Sequence, residues 1–284
     1  MKAIVTGGAG FIGSHIAERL LKMGAKVIII DDLSAGKIEN IPAKAKFIEA
    51  DICNNYFLKE FDKVDVIFHN AASKKNICLN NPHRDLEVNG GGTLRLLQLS
   101  KKFGIKKFVY ASTGSVYGIV NNEITEHTTT HPVSFYGISK LAAENYVKYF
   151  NRVYELNTSI LRYFHVYGDR QDSDSERGGV VAIFKRLIAE GKPITIHGSG
   201  NQQRVFTHVD DIVEANIRVA ENYDTHGHIY NCAANKQVTI SELAVSLGAK
   251  EIEYANALEG DIFKFNVNAN KIQRLGVTFR DYGG

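Results

Sequence analysis

Glycines 7, 10 and 13 lie between a short β-branched run and a stretch of helical periodicity, and this constrains the chain more than any other feature. The run KAIVT (2–6) reads as a strand. After the glycines, Ile12, Ile16 and Leu20, with Ala17 and Leu21, recur at helical spacing. Glycine permits the tight turn, lets backbone amides approach a pyrophosphate, and lets strand and helix pack closely. The start of the helix then offers unpaired amides to negative charge. Asp31 follows the second run, KVIII (26–30), where an acidic side chain accepts from ribose hydroxyls. These features together point to a dinucleotide site. An acid at that place repels a 2′-phosphate, so NAD is expected over NADP.

The alternation continues down the chain. KFIEA (46–50), VDVIFHN (64–70), KKFVYAS (106–112) and SILRYF (159–164) read as further strands, with helices expected over 82–103, 135–154 and 180–190. Strands separated by helices need right-handed crossovers and build a parallel sheet covered on both faces. The expected class is therefore α/β, a Rossmann-like doubly wound parallel sheet with a smaller mixed α/β substrate lobe near the C-terminus. The pattern loosens after Gly168, at DRQDSDSERGG (169–179). That places an NAD-binding domain over 1–168 and a substrate-binding lobe over 169–284, the lobe interleaved with the first and able to return strands to it. Gly90-Gly91-Gly92 inside an expected helix costs up to about 1 kcal/mol each against alanine. Close approach of another backbone or of cofactor would account for it.

Composition excludes several classes. At 284 residues, 44% hydrophobic and 23% charged, the chain can bury a core without disulfides or metals. The net charge of +3, from 34 basic and 31 acidic residues, is too small and too dispersed for a nucleic-acid partner. No apolar run approaches the ~20 residues of a membrane span. Lys2 leads into a strand and glycines rather than a long apolar stretch, so no secretory signal is expected and the location reads as cytoplasmic. Cys53, Cys78 and Cys232 are odd in number and lack ligand spacing, which suits reduced thiols. The ten histidines are scattered, none pairs with acids at ligand spacing, and no metal is expected.

Two further constellations carry chemistry. In Tyr136-Gly137-Ile138-Ser139-Lys140 the tyrosine and lysine share one helical face. A phenol with a pKa near 10 is a poor base at neutral pH. A fixed ammonium nearby favours the phenolate and makes a usable general base. The segment Ala111-Ser112-Thr113-Gly114-Ser115 follows an apolar strand, where a hydroxyl can bond a reacting sugar oxygen. Each of the two alone is also compatible with a surface pair or a capping turn.

With these elements in this order, the chain resembles the NAD-dependent epimerase/dehydratase family of extended short-chain dehydrogenases/reductases. The resemblance extends to Asp51-Ile52, to His69-Asn70-Ala71-Ala72, and to Asn89 standing four residues before Thr93. LRYFHVYGDRQ (161–171), QQRVFTHVDD (202–211) and EGDIFKFNVNANKIQRLG (259–276) are similar to later family segments. It implies Thr113 as hydroxyl partner, Tyr136 as acid/base, and Lys140 as ribose anchor tuning Tyr136. Gly7, Gly10, Phe11, Ile12, Gly13, Asp31 and Asp32 would meet the NAD cofactor from the first two strands. Asp51, Ile52, Asn70, Ala71, Ala72, Lys74, Asn89 and Phe164 would line the rest of its site, along with Tyr136 and Lys140. Thr113, His165 and Arg204 would meet a nucleotide-diphosphate sugar. A homodimer built on the helices near 82–103 and 135–154 is implied as well.

Departures from the family's pattern narrow the chemistry. Its dehydratases carry Asp-Glu after the catalytic threonine, whereas this chain has Gly114-Ser115. His165 stands where the family has asparagine, Val205 where it has aspartate, and Leu258 where it has a phosphate-binding arginine. The resemblance thus implies 4-epimerisation of a nucleotide-diphosphate sugar, of the UDP-glucose/UDP-galactose type. Net oxidoreduction of such a sugar uses the same residues and stays open. A non-catalytic NAD-binding regulator would be expected to lose the Tyr136/Lys140 pair.

Overall fold

The computed structural model describes residues 1–54, 57–73, 80–174, 178–257 and 264–283. Lys74, Cys78 and Leu258 lie outside the described residues.

Strands β1 (Lys2–Thr6), β2 (Lys26–Asp31), β3 (Lys46–Glu49), β4 (Val66–His69), β5 (Lys107–Thr113) and β6 (Thr158–Tyr163) build the central sheet. Short strands β7 (Val166–Tyr167), β8 (Ile194–His197), β9 (Gln203–Val205) and β10 (Thr207–His208) follow, and then β11 (His228–Cys232) returns to that sheet. Its order is β3-β2-β1-β4-β5-β6-β11, and every pairing is parallel. Consecutive side chains point to opposite faces of such a sheet. Ala3 and Val5 therefore join Ile16 and Leu20 of the Phe11–Lys22 helix on one side. Ile4 joins Leu96, Leu97, Val147 and Phe150 on the other. Both faces are apolar because both are covered, which explains unbroken runs such as VIII. The order reverses between β1 and β4, and the crevice at such a switch point is where an open α/β sheet binds ligands.

The expected helix over 82–103 is interrupted. It runs as an α-turn at Pro82–Asp85, a π-helical stretch at Leu86–Gly92 and an α-helix at Thr93–Phe103. Of the three glycines only Gly92 meets a close neighbour, and that is a side chain rather than a backbone; Gly91 has nothing within 4 Å. A Cβ on Gly92 would come 2.6 Å from Ile52 Cδ1, so its bare backbone is what lets this element approach the loop after β3. Elsewhere the expected elements appear within a residue or two, including the Phe135–Tyr154 and Val180–Ala189 helices.

Beyond Gly168 a second apolar cluster forms from Val181, Phe184, Ile194, Ile196, Phe206 and Leu243. It lies among the Val180–Ala189 helix, the Ile240–Ser246 helix and two-stranded pairings of β8 with β13 (Ile252–Ala255) and β9 with β12 (Gln237–Thr239). The Val209–Glu221 helix instead packs its Ile212 and Ile217 into the large core beside Ile16. Among the described residues no helix is long and apolar enough to cross a membrane.

Candidate active site

The glycine turn is built by close backbone contacts. Gly7 has φ 68°, donates its amide to Ile30 O at 2.8 Å, and would place a Cβ 2.6 Å from the Ala71 amide nitrogen. Gly10 caps the Phe11–Lys22 helix without a side-chain partner, and the first turn carries no acid. The amides at that helix start are therefore left for an anion. Gly7, Gly10, Phe11, Ile12 and Gly13 all line a cleft over the carboxyl ends of β1, β2, β4 and β5.

Carboxylates close one end of the cleft. Asp31 is 6% exposed and accepts from the Ala9 amide at 3.0 Å and the Leu33 amide at 2.9 Å. Burial pushes its pKa up against these donors. A carboxylate has room for about four donors, so acceptor capacity remains. Asp32 accepts from the Ser34 hydroxyl at 2.6 Å. Asp51 accepts from the Cys53 amide at 2.8 Å and from Arg84. Burial pushes Asp51 up, but those donors prevail and hold it below the usual range. Arg84, which the sequence reading passed over, thus ties Asp51 to Glu87 and stands 3.7 Å from Asp32. Its signal was the Asn81-Pro82 helix start, where Asn81 caps the Arg84 amide.

Asn70, Ala71 and Ala72 form the floor with Ile52. The Asn70 side-chain amide is buried with no hydrogen-bond partner among the described residues, on both its oxygen and its nitrogen. An orphaned amide in a groove of bare glycine backbone fits a polar cofactor placed there. Beneath it His69 bridges Thr6 Oγ1 at 2.7 Å and Thr93 Oγ1 at 2.8 Å. Burial, with the Lys140 charge, holds this imidazole well below its ordinary pKa and neutral.

Tyr136 and Lys140 enter from the Phe135–Tyr154 helix. Ser134 caps it by accepting the Gly137 amide at 3.1 Å, which sets Tyr136 in the first turn and Lys140 one turn on. A Cβ on Gly137 would fall 2.7 Å from Ser115 O, so glycine lets this helix start sit against the turn after β5. Tyr136 and Lys140 both line the cleft. Lys140 is 2% exposed and donates Nζ to Ala111 O at 2.6 Å. Thr113 ends β5, with its Oγ1 accepting the Ser115 amide at 3.1 Å.

The remaining candidates stand behind or beyond the cleft. Asn89 is buried and donates to Asp85 and to Ser139 Oγ, while its oxygen accepts the Ser73 amide at 2.9 Å. It braces the cleft wall from behind. Phe164 packs its ring over Gly114 and against Tyr117. His165, at φ 36°, sets its ring edge-on to Phe265 at 5.0 Å and Phe206 at 6.2 Å. The Arg204 guanidinium lies 5.6 Å from the same Phe265 ring. Phe265 therefore gathers Phe164, His165 and Arg204, a role that spacing alone could not reveal. Among the described residues no cluster of three or more His, Cys, Asp or Glu could hold a metal ion.

Comparison with known proteins agrees with this geometry. Residues 3–233 match the model of the NAD dependent epimerase/dehydratase family. A putative UDP-glucose 4-epimerase of Methanocaldococcus jannaschii is 37% identical, over 96% of this chain and 92% of its own. The crystal structure of UDP-glucose 4-epimerase with UDP-glucose from Thermotoga maritima superposes with a TM-score of 0.94 at 37% identity, covering 99% of this chain and 94% of that one. A human dTDP-D-glucose 4,6-dehydratase is also similar, at 32% identity over 97% of this chain and 84% of its own. With a matching family model over most of its length and relatives covered nearly end to end, this chain belongs to the NAD dependent epimerase/dehydratase family.

Proposed function

We propose that this protein is an NAD-dependent epimerase that inverts C4 of a nucleotide-diphosphate sugar, UDP-glucose and UDP-galactose being the expected pair. The observation that carries the reading is the arrival of Tyr136 and Lys140, from one helix, in the same cleft as the glycine turn and Asp31. Gly7, Gly10 and Gly13 would hold the pyrophosphate of NAD, Asp31 its adenosine ribose, and Asn70 a polar edge. When bound, NAD would supply a hydride acceptor and donor at the sugar carbon.

The chain's own residues would manage the proton. Lys140, which donates to the Ala111 carbonyl and shares the cleft with Tyr136, would set positive charge near the phenol and favour its ionised form. Tyr136 would take the C4 hydroxyl proton as hydride leaves that carbon, and return it after the 4-keto sugar has turned over in the pocket. Thr113 would bond the same oxygen and hold it in line. His165 and Arg204 would face the substrate's phosphates. Gly114 and Ser115 offer no acid–base pair for expelling water from C6, which favours epimerisation over dehydration.

Denaturing the purified protein should release NAD, and a panel of nucleotide sugars should show interconversion of 4-epimers. Tyr136→Phe removes only the ionisable oxygen and should lower turnover by about 10²–10⁴-fold. Activity within a few-fold of wild type would overturn the assignment.

A further inference from the structure

One turn beyond Lys140 the same helix buries a carboxylate completely: Glu144 is 0% exposed. Arg162 on β6 grips it with two parallel bonds, Nε to Oε1 at 2.8 Å and Nη2 to Oε2 at 2.6 Å. The Ser112 hydroxyl donates to Oε1 at 2.6 Å. Arg162 is 2% exposed, and its guanidinium lies 4.6 Å from the Tyr117 ring centroid. A lysine and a glutamate four residues apart on a helix are placed to pair with each other. Here Arg162 takes the carboxylate, and Lys140 donates to Ala111 O at 2.6 Å while standing 4.3 Å from the Tyr110 ring centroid.

We propose that Arg162 and Glu144 are positioning residues for the acid–base pair. Arg162 neutralises the carboxylate that would draw Lys140 away, so the ammonium stays directed at the end of β5 and at Tyr136. Ser112, the residue directly before Thr113, ties the same carboxylate to the end of β5. The proposal rests on the acid–base reading of Tyr136. A buried, bidentate ion pair is costly to assemble and is not in itself a gain in stability. Its use here is to set the field and the geometry above it.

The groups that set this field come from several elements. Lys140, Glu144 and Lys148 share the helix with Tyr136, and Lys148 stands 3.6 Å from Glu144 Oε2. β5 contributes Tyr110, which feels Glu144, Tyr136 and Asp85. β6 contributes Arg162, and β4 the neutral His69.

Two single substitutions separate a field effect from a merely structural one, because they carry opposite signs. Glu144→Gln keeps the shape and leaves the Arg162 charge uncompensated, which favours phenolate. Eight helical residues span roughly 12 Å, and a unit charge at that distance in a medium of effective dielectric about 20 moves a pKa by about one unit. The acidic limb of kcat/KM against pH should therefore move down by about one pH unit in Glu144→Gln. It should move up in Arg162→Met and return to the wild-type position when both are combined. The phenolate absorbance of Tyr136, taken as wild type minus Tyr136→Phe, should shift the same way without turnover. If Arg162→Met does not fold, the sign in Glu144→Gln decides alone. No shift there, or an upward one, overturns the proposal. An inactive Tyr136→Phe beside an unmoved Glu144→Gln overturns this proposal only. A fully active Tyr136→Phe overturns the reading beneath it as well.

Discussion

Gly13 lies directly over Gly7: a Cβ built on Gly13 would penetrate the Gly7 carbonyl oxygen and crowd the Gly8 Cα at 3.0 Å. Both obstructions are backbone, so neither can rotate aside. Gly13→Ala should push the Phe11–Lys22 helix off β1 and spoil the turn that would hold pyrophosphate. We expect NAD affinity, measured by titration calorimetry, to fall by about 5- to 150-fold, in line with overpacking costs of about 1–3 kcal/mol. Unchanged affinity would show that the turn does not bind the cofactor.

Asp31 is expected to govern the choice of cofactor. Its carboxylate retains acceptor capacity after binding the Ala9 and Leu33 amides. A ribose hydroxyl bonded to a charged acceptor contributes about 1.5–3 kcal/mol. Asp31→Asn should therefore weaken NAD binding by about 10- to 100-fold while narrowing its preference over NADP. A wild-type protein that binds NADP as tightly as NAD would refute this role.

The outer face of the Phe135–Tyr154 helix carries Tyr146, Tyr149 and Tyr154, which remain 40%, 44% and 39% exposed. With Leu94 and Gln98 of the neighbouring helix they line a shallow apolar groove. Homodimerisation through this face would bury it, and light scattering at micromolar concentration should give a dimer mass. Tyr149→Asp should shift that mass to the monomer. A monomeric wild-type protein would refute the assembly.

Lys107 predicts a pH dependence of stability far from the cleft. It is buried, donates Nζ to Asn157 Oδ1 and Thr225 Oγ1 at 2.8 Å each, and burial lowers its pKa to about 8 from 10.5. The unfolded chain then holds this proton more tightly than the folded one. Stability should be lowest below pH 8 and rise as pH climbs from 8 toward 10.5, by up to about 3 kcal/mol from this group. Denaturant titrations at pH 7.5 and 9.5 should show the rise in wild type and its absence in Lys107→Met. Equal slopes in both proteins would count against it.

Local signals settled the order of elements and the two ends of the cleft. A strand, three glycines and an amphipathic helix have few ways to pack, and Asp31 at the end of β2 could be placed by counting. Tyr136 and Lys140 were legible for the same reason: four residues on a helix fix a shared face, and Ser134 fixes where the helix starts. Tertiary structure decided what depends on partners distant in the chain. Asn89 stands at a family position yet turns its amide onto Asp85 and Ser139, 50 residues away in the second case. The single helix expected over 82–103 gives way to a π-helical stretch where Gly92 meets Ile52. Arg162 and Glu144 read as ordinary polar residues of a strand and a helix until β6 and the helix come together and exclude water from both. Periodicity reports which face of an element is apolar; it does not report which polar groups two elements will trap between them, because desolvation and pairing arise only when both sides are in place.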